Sequence, residues 1–191
     1  ADTVFVNKLP RRIHGYELRQ PQLWMARMIQ RAREMGKHAV IEAATGTGKS
    51  YAYLYPAMEM GLRILVSTSN KALQQQLVKK DIPTVLSSYP GKKFCLVQGK
   101  SNYACLHKAA KVQLHGQLKT WLEETKTGNT EDIDFPINYD DLDRITADDT
   151  CNGYRCNLYN KCFYYQAKAE REEADILICN HALLAIHLDN P

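Results

Sequence analysis

The sequence predicts an α/β fold: a parallel sheet with flanking helices, interrupted by a small, mainly helical, cysteine-rich segment. Three observations carry this. Short apolar runs alternate with stretches of helical period, the pattern of strands and helices that build a parallel sheet. A Gly/Thr-rich turn, Ala43-Ala44-Thr45-Gly46-Thr47-Gly48-Lys49-Ser50, stands where one apolar run gives way to a helix. Four cysteines, Cys105, Cys151, Cys156 and Cys162, fall where the alternation stops.

The elements follow in order. From Tyr16 to Glu34, Leu23, Met25, Ala26, Met28, Ile29 and Ala32 recur at helical spacing, with Pro21 near the start and Gly36 as the stop. His38 to Ala43 is a short apolar run, read as a buried strand, and the glycine turn converts it into a helix through about Met60. Arg63 to Ser67 is a second strand, and Asn70 to Lys80 a helix with Ala72, Leu73 and Leu77 on its apolar face. Phe94 to Val97 is a third strand. A helix is expected from Cys105 to about Glu124, followed by an acidic stretch with little periodicity. A short helix is expected from Phe163 to about Glu172, and a final buried strand over Ala174 to Asn180. The organisation expected is 1–99 and 171–191 from one sheet domain, with 100–170 inserted between two of its strands.

At 191 residues the chain fits one ordinary domain carrying a small insertion. With 45% hydrophobic and 24% charged residues it has the composition of a soluble globular protein. No apolar run approaches the ~18 residues of a membrane span, and no basic-then-apolar signal opens the chain, so a cytoplasmic protein without membrane contact is expected. In that compartment cysteines read as metal ligands or buried thiols rather than disulfides. The net charge of +4 is unevenly spread. Ile82 to Leu122 contains no Asp or Glu but holds Lys92, Lys93, Lys100, Lys108, Lys111 and Lys119, which suits a polyanion partner. Glu123 to Asp149 is predominantly acidic and reads as a solvated face.

The glycine turn has the chemistry of a phosphate site. A turn between strand and helix exposes consecutive backbone N–H groups, to which the helix terminus adds partial positive charge. Thr45, Gly46, Thr47 and Gly48 form the loop; Lys49 would reach the β/γ oxygens and Ser50 would offer its hydroxyl to Mg²⁺. Ala43 stands where the general pattern has its first glycine.

Four thiolates can ligate Zn²⁺ or an iron–sulfur cluster. Structural zinc sites pair their cysteines closely, whereas here Cys151-x4-Cys156-x5-Cys162 cluster and Cys105 is distant, which suits a [4Fe–4S] cluster better and leaves zinc open. Cys95 and Cys179 lie in apolar strand-like runs and read as core thiols. His107 reads as a surface or nucleic-acid contact.

Several segments together resemble the superfamily 2 iron–sulfur helicases, the XPD/DinG family, and within it the bacterial DinG branch. Arg19-Gln20-Pro21-Gln22 resembles the family's adenine-recognition element, and Ala43 to Ser50 its motif I. Ser67-Thr68-Ser69 through Leu73-Gln74-Gln75-Gln76-Leu77 to Lys80-Asp81-Ile82-Pro83 resembles its motif Ia region. Gly99 to Cys105 resembles the lead-in to the first cluster cysteine, and Asn180-His181-Ala182-Leu183-Leu184 the segment ahead of the acidic ATPase box.

The resemblance implies a partial RecA-like motor domain carrying an iron–sulfur domain. It implies ATP, Mg²⁺ and a [4Fe–4S] cluster as cofactors, with Arg19 and Gln22 at the adenine and Lys49 and Ser50 as the catalytic pair. The activity implied is a 5′–3′ DNA helicase acting on single-stranded or forked DNA in repair or replication, of general or CRISPR-associated DinG type. No Asp-Glu-x-His box follows Leu184 before Pro191, so an N-terminal fragment, inactive alone, is expected.

Lys100, Tyr103, Lys108, Lys111, Arg155, Tyr159 and Lys161 are the residues expected at DNA, lysines on phosphates and tyrosines stacked on bases. Two other classes compete: a nucleotide- and DNA-binding module without turnover, and a redox-sensing DNA-binding protein.

Overall fold

The computed structural model describes residues 1–189, and its backbone divides into two compact units. One is formed by Ala1–Phe94 with Ala174–His181, the other by Cys95–Glu173 with the described residues from Ala182 onward.

The first unit opens with a π-helical turn, Thr3–Lys8, running into α1 (Leu9–Arg12). Neither has a counterpart in the sequence reading, yet Val4, Phe5 and Leu9 are buried there. Helix α2 (Gln20–Glu34) carries Pro21 in its first turn, where the missing N–H costs nothing. Its buried side chains Gln22, Leu23 and Ala26 lie on one face, and α2 packs against α3 (Lys49–Glu59). The core of α3 is Tyr55, ringed by Phe5, Tyr51 and Tyr89 at centroid distances of 6.2, 5.8 and 6.2 Å. Strand β1 (Ile64–Thr68) is followed by α4 (Lys71–Gln76), capped by the Asn70 side-chain Oδ1 accepting from the Leu73 N–H at 2.8 Å.

The single helix expected over Asn70 to Lys80 is instead α4, a π-helical turn (Leu77–Asp81) and α5 (Ile82–Leu86). Its buried face is Gln74, Leu77, Asp81, Ile82 and Val85, while Ala72 and Leu73 are exposed. The buried face was set by tertiary packing, with the π turn and α5 both against α3.

Strands β2 (Phe94–Leu96) and β3 (Ile176–Asn180) complete a three-stranded sheet in the order β1-β3-β2. Strand β3 runs parallel to β1, with Ile64 opposite Ile176 and Thr68 opposite Asn180. As the central strand it carries the fully buried Ile176 and Ile178 and the buried Cys179, the near-continuous apolar run of a strand covered on both faces.

His38 to Ala43 is not a strand. The segment has no regular secondary structure, no described strand pairs with it, and Val40 is fully exposed. An apolar run becomes a buried strand only where a neighbouring backbone supplies the hydrogen-bond ladder.

In the second unit the helix expected from Cys105 to Glu124 is two helices, α6 (Leu106–Ala109) and α7 (Gly116–Glu124). Breaking the run lets Ala109 and Leu118 both pack on the fully buried Ile145, with Val112, Leu114, Trp121, Leu122, Phe135 and Ile137 around them. Ile145 belongs to α8 (Tyr139–Ile145), a helix inside the acidic stretch that periodicity did not show. Its start is capped by Asn138, which accepts from the Asp141 N–H at 2.7 Å, and Asp140 and Asp141 occupy its first turn. Helix α9 (Phe163–Glu173) follows the cysteines, and α10 (His181–Asp189) follows β3.

Gly128 holds this unit's loops together. Its carbonyl accepts from the Ala104 N–H at 2.7 Å, and its φ is +60°. A Cβ built on it would lie 2.2 Å from the Phe163 ring. Gly128→Ala is therefore expected to destabilise the second unit by about 2 kcal/mol or more, through a left-handed φ and overpacking together. Urea unfolding followed by near-ultraviolet circular dichroism checks this.

Candidate functional site

The phosphate loop lies in a cleft of about 480 Å³ lined by Arg19, Thr45, Gly46, Gly48, Lys49, Ser50, Tyr51, Leu73, Gln76, Lys80 and Asp81. Gly48 has φ +78° and is the N-cap of α3. A Cβ there would meet the Gln22 side-chain nitrogen at 2.2 Å, so glycine is required by conformation and by space.

The loop is gripped from behind. Gln22 is buried, donates from Nε2 to the Gly48 carbonyl at 3.0 Å, and accepts at Oε1 from the Tyr16 hydroxyl at 3.1 Å. Burial pushes the Tyr16 phenol up to about 12, which keeps it a donor at neutral pH. Arg19 donates to the Gly46 carbonyl. Turning these carbonyls toward α2 leaves the loop's N–H groups for an anion. Lys49 Nζ donates to the Ala43 and Ala44 carbonyls at 2.7 and 2.9 Å, within the loop itself. Thr47 closes the turn by donating its hydroxyl to the Ala44 carbonyl at 3.0 Å. Ser50 is hydrogen-bonded to the Tyr53 hydroxyl, whose pKa is raised by burial. Both ends of the Gln22 side-chain amide are thus engaged with protein, behind the loop.

Two other segments singled out in the sequence meet in this unit. Ser67 Oγ lies 2.7 Å from His181 Nδ1, joining the end of β1 to the start of α10.

In the second unit one small cavity is lined by all four of Cys105, Cys151, Cys156 and Cys162. The rest of its lining is mostly apolar and aromatic, with Ala104, Leu106, Ala147, Leu158, Tyr103, Tyr164 and Tyr165, and Lys100 also lines it. Backbone bonds fix each cysteine. Cys105 N–H donates to the Ile145 carbonyl at 2.6 Å, and Cys151 N–H to Asp148 at 3.2 Å. Cys156 and Cys162 each close a 3₁₀ turn, donating to Gly153 and Tyr159 at 3.0 Å. Among the described residues no group of three or more His, Cys, Asp or Glu is arranged to hold a single metal ion. Cys95 and Cys179 are buried and are not among the residues lining this cavity, and their thiols are pushed up by burial. His107 lines the cavity itself.

The residues expected at DNA are variously placed. Tyr103 is buried, at 4% exposure, against Tyr164 at 5.8 Å, and its phenol is pushed up to about 12 by burial. It presents no ring face for stacking, and the expectation for it is corrected: Tyr103 is packed inside the unit against Tyr164. Lys100 is 3.2 Å from Asp149. Lys108 donates to the Asp143 carbonyl at 2.7 Å and to Asp148 at 2.9 Å. The Thr150 hydroxyl, with Lys108, holds Asp148 well below the usual carboxylate range. The end of the acidic block is therefore a partner for these lysines rather than only a solvated face.

Lys111, Arg155 and Lys161 are exposed, and Tyr159 is exposed beside Tyr165 at 4.5 Å. Sequence reading missed Tyr154, 74% exposed with the Arg155 guanidinium 5.7 Å from its ring centre; the Tyr-Arg doublet was its only signal. Asp81, buried at the cleft, was also missed as an individual residue, although it lay in a highlighted segment.

Comparison with known proteins accords with this geometry. A family model described as DEAD/DEAH box helicase matches residues 25–156. The ATP-dependent DNA helicase YoaA of Escherichia coli is 34% identical over 195 residues, covering 92% of this chain and 30% of that protein. The ATP-dependent helicase DinG of Mycobacterium tuberculosis is 32% identical over 208 residues, covering 90% of this chain and 31% of that protein. The protein named 3'-5' exonuclease DinG in Bacillus subtilis is 34% identical over 188 residues, covering 89% and 20%. The chain thus spans less than a third of the length of these relatives. With a glycine-rich loop at the start of α3, a small parallel sheet, and a family-model match over residues 25–156, the chain belongs to the DEAD/DEAH box helicase family.

Proposed function

We propose that the chain forms part of the first motor half of an ATP-dependent DNA helicase of the DinG type. The observation that carries this is the cleft in which Lys49, Ser50 and the Thr45–Gly48 turn converge, with Arg19 and Gln22 holding the turn open. Nucleotide phosphates would bind the loop's N–H groups. Lys49 would leave the Ala43 and Ala44 carbonyls for the β/γ oxygens, and Ser50 would turn its hydroxyl from Tyr53 to Mg²⁺. Arg19 and Gln22 act through the loop on the phosphates. In this reading the protein works in the cytoplasm, moves 5′ to 3′ along single-stranded DNA and opens forked junctions, as the resemblance implies.

The second unit is proposed to hold a [4Fe–4S] cluster. Four soft thiol donors on one cavity with apolar walls fit such a group, and Cys105, Cys151, Cys156 and Cys162 would be its ligands. Bound there, the cluster would cross-link the turn at Cys105 to the loop 151–162 and rigidify the unit.

The exposed cations Lys111, Arg155 and Lys161, with Tyr154 and Tyr159, form the surface offered to DNA. Cations would pair with phosphates and the tyrosines would stack on bases without reading sequence. Lys100 and Lys108 serve the same surface more weakly, since each already faces an aspartate.

In the protein carrying the complete motor, Lys49→Ala should abolish DNA-stimulated ATP hydrolysis while leaving iron content unchanged. Cys156→Ser should do the reverse chemistry: anaerobic preparations of the parent should hold about four irons per chain, and the variant should lose them. Cys95→Ser and Cys179→Ser should keep the iron. Stoichiometric zinc without iron would overturn the cluster assignment. Replacing Lys111, Arg155 and Lys161 together by Glu should weaken single-strand binding for all sequences and flatten its salt dependence by roughly two to three phosphate contacts. Fluorescence anisotropy across a salt series measures both.

A further inference from the structure

Asp81 is a buried carboxylate lining the cleft of the glycine-rich loop. It ends the π-helical turn Leu77–Asp81, a distortion of the helical ladder that recurs at functional sites. It is 6% exposed and lines the same cleft as Thr45, Gly46, Lys49 and Ser50. Gln76 Nε2 donates to its Oδ2 at 3.2 Å, a long bond that leaves most of the carboxylate's acceptor capacity unspent. Its charge is close enough to Tyr53, the partner of Ser50, to help keep that phenol protonated.

A carboxylate held out of water needs a compensating cation or donors. Phosphates entering this cleft would add further negative charge, so the pair is tolerable only with positive charge between them. Lys49 is committed to the phosphates in the proposed reading. Arg19, engaged with the Gly46 carbonyl, and Lys80 also line the cleft; a divalent cation on the Ser50 side adds positive charge there, and Mg²⁺ keeps several of its waters, each a strong hydrogen-bond donor.

We infer that Asp81 is a positioning residue for the nucleotide's Mg²⁺: its carboxylate accepts hydrogen bonds from water molecules bound to the ion, and Gln76 sets its orientation. The inference rests on the reading of the cleft as a nucleotide site. Residues that orient a metal's water or ligand shell in this way tune its affinity without touching the ion. The π turn is what delivers Asp81 to the cleft side while Leu77 and Ile82 stay in the core.

The test is a titration of the 191-residue chain with a fluorescent ADP analogue, with Mg²⁺ varied and with Mg²⁺ removed by chelator. Asp81→Asn keeps size and the Gln76 contact but loses charge. It should keep the Mg²⁺-free affinity of the parent and need roughly ten- to hundred-fold more Mg²⁺ to reach the tighter state. Gln76→Ala, which keeps the charge and frees its orientation, should shift the Mg²⁺ dependence in the same direction by less. Lys49→Ala should weaken nucleotide with and without Mg²⁺ alike.

If Asp81→Asn responds to Mg²⁺ as the parent does, or weakens both conditions equally, the carboxylate is structural and the inference is wrong. If the parent binds no nucleotide, or Lys49→Ala binds as well as the parent, the phosphate-loop reading fails first and takes this one with it. Should Asp81→Asn not fold, Gln76→Ala alone decides: an unshifted Mg²⁺ dependence rejects the role.

Discussion

The phosphate loop has its shape because two of its carbonyls are held from behind. Gly46 and Gly48 would otherwise be a flexible glycine turn, costly in entropy to fix at the moment of binding. Arg19 and Gln22, one turn apart at the start of α2, fix them through the Gly46 and Gly48 carbonyls, and Tyr16 in turn fixes Gln22. Each of the two neutral, part-buried bonds of Gln22 contributes about 0.5–1.5 kcal/mol, and the Arg19 bond is charged and exposed. Three together can hold a loop that has almost no side chains of its own to pack. The packing of α2 on α3 sets the distance these bonds must span, so the segment ahead of the loop and the loop itself form one device. The same logic explains why Gln22, a polar residue, is among the most buried side chains of its helix: the Gly48 carbonyl and the Tyr16 hydroxyl satisfy both ends of its amide.

The second unit solves a different problem with similar means. Its cysteines come from a turn near residue 105 and a loop near 151–162, and loops alone would scatter them. Backbone bridges between Tyr103 and Asn129 and between Ala104 and Thr146 pin the first cysteine to the acidic segment. The 3₁₀ turns ahead of Cys156 and Cys162 then present thiols at the end of each turn. Packing of α6, α7 and α8 around Ile145 stabilises the frame from the other side. In this frame the acidic block has local work: Asp148 and Asp149 hold Lys108 and Lys100, and Asn138 caps α8.

Periodicity and turn chemistry made much of this legible. Helices α2, α3 and α9 and strands β1, β2 and β3 stand where apolar spacing, Pro21 and the glycine turn put them. What failed had physical causes. The run at 38–43 was apolar enough for a strand, but strands need partners, and no described strand offers one. The apolar face assigned to Ala72 and Leu73 was wrong because α4 packs on β1 and β3 with Gln74 buried, while the π turn and α5 pack on α3 with Leu77 and Val85 buried. Tyr103 looked like a stacking residue because composition cannot distinguish a tyrosine beside lysines from a tyrosine beneath them. Helix α8 was hidden by its short length and acidity, although Asn138 followed by Asp140 and Asp141 is a start signal that spacing alone does not weigh. At the site, residue types and order were legible, whereas the grip of Gln22 on Gly48 and the reach of Asp81 into the cleft depend on folding.

The central claim, that the loop is held in a binding shape by α2, is tested most directly by amide hydrogen exchange in the parent chain and in Gln22→Ala. Removing the side chain should free the Gly48 carbonyl and speed exchange of the amides over residues 45–49, by roughly the ten-fold that loss of one buried hydrogen bond implies. Amides within α3 beyond its first turn should be unchanged. Exchange over 45–49 that is as slow in Gln22→Ala as in the parent would show that the loop holds its own shape, and would contradict the account.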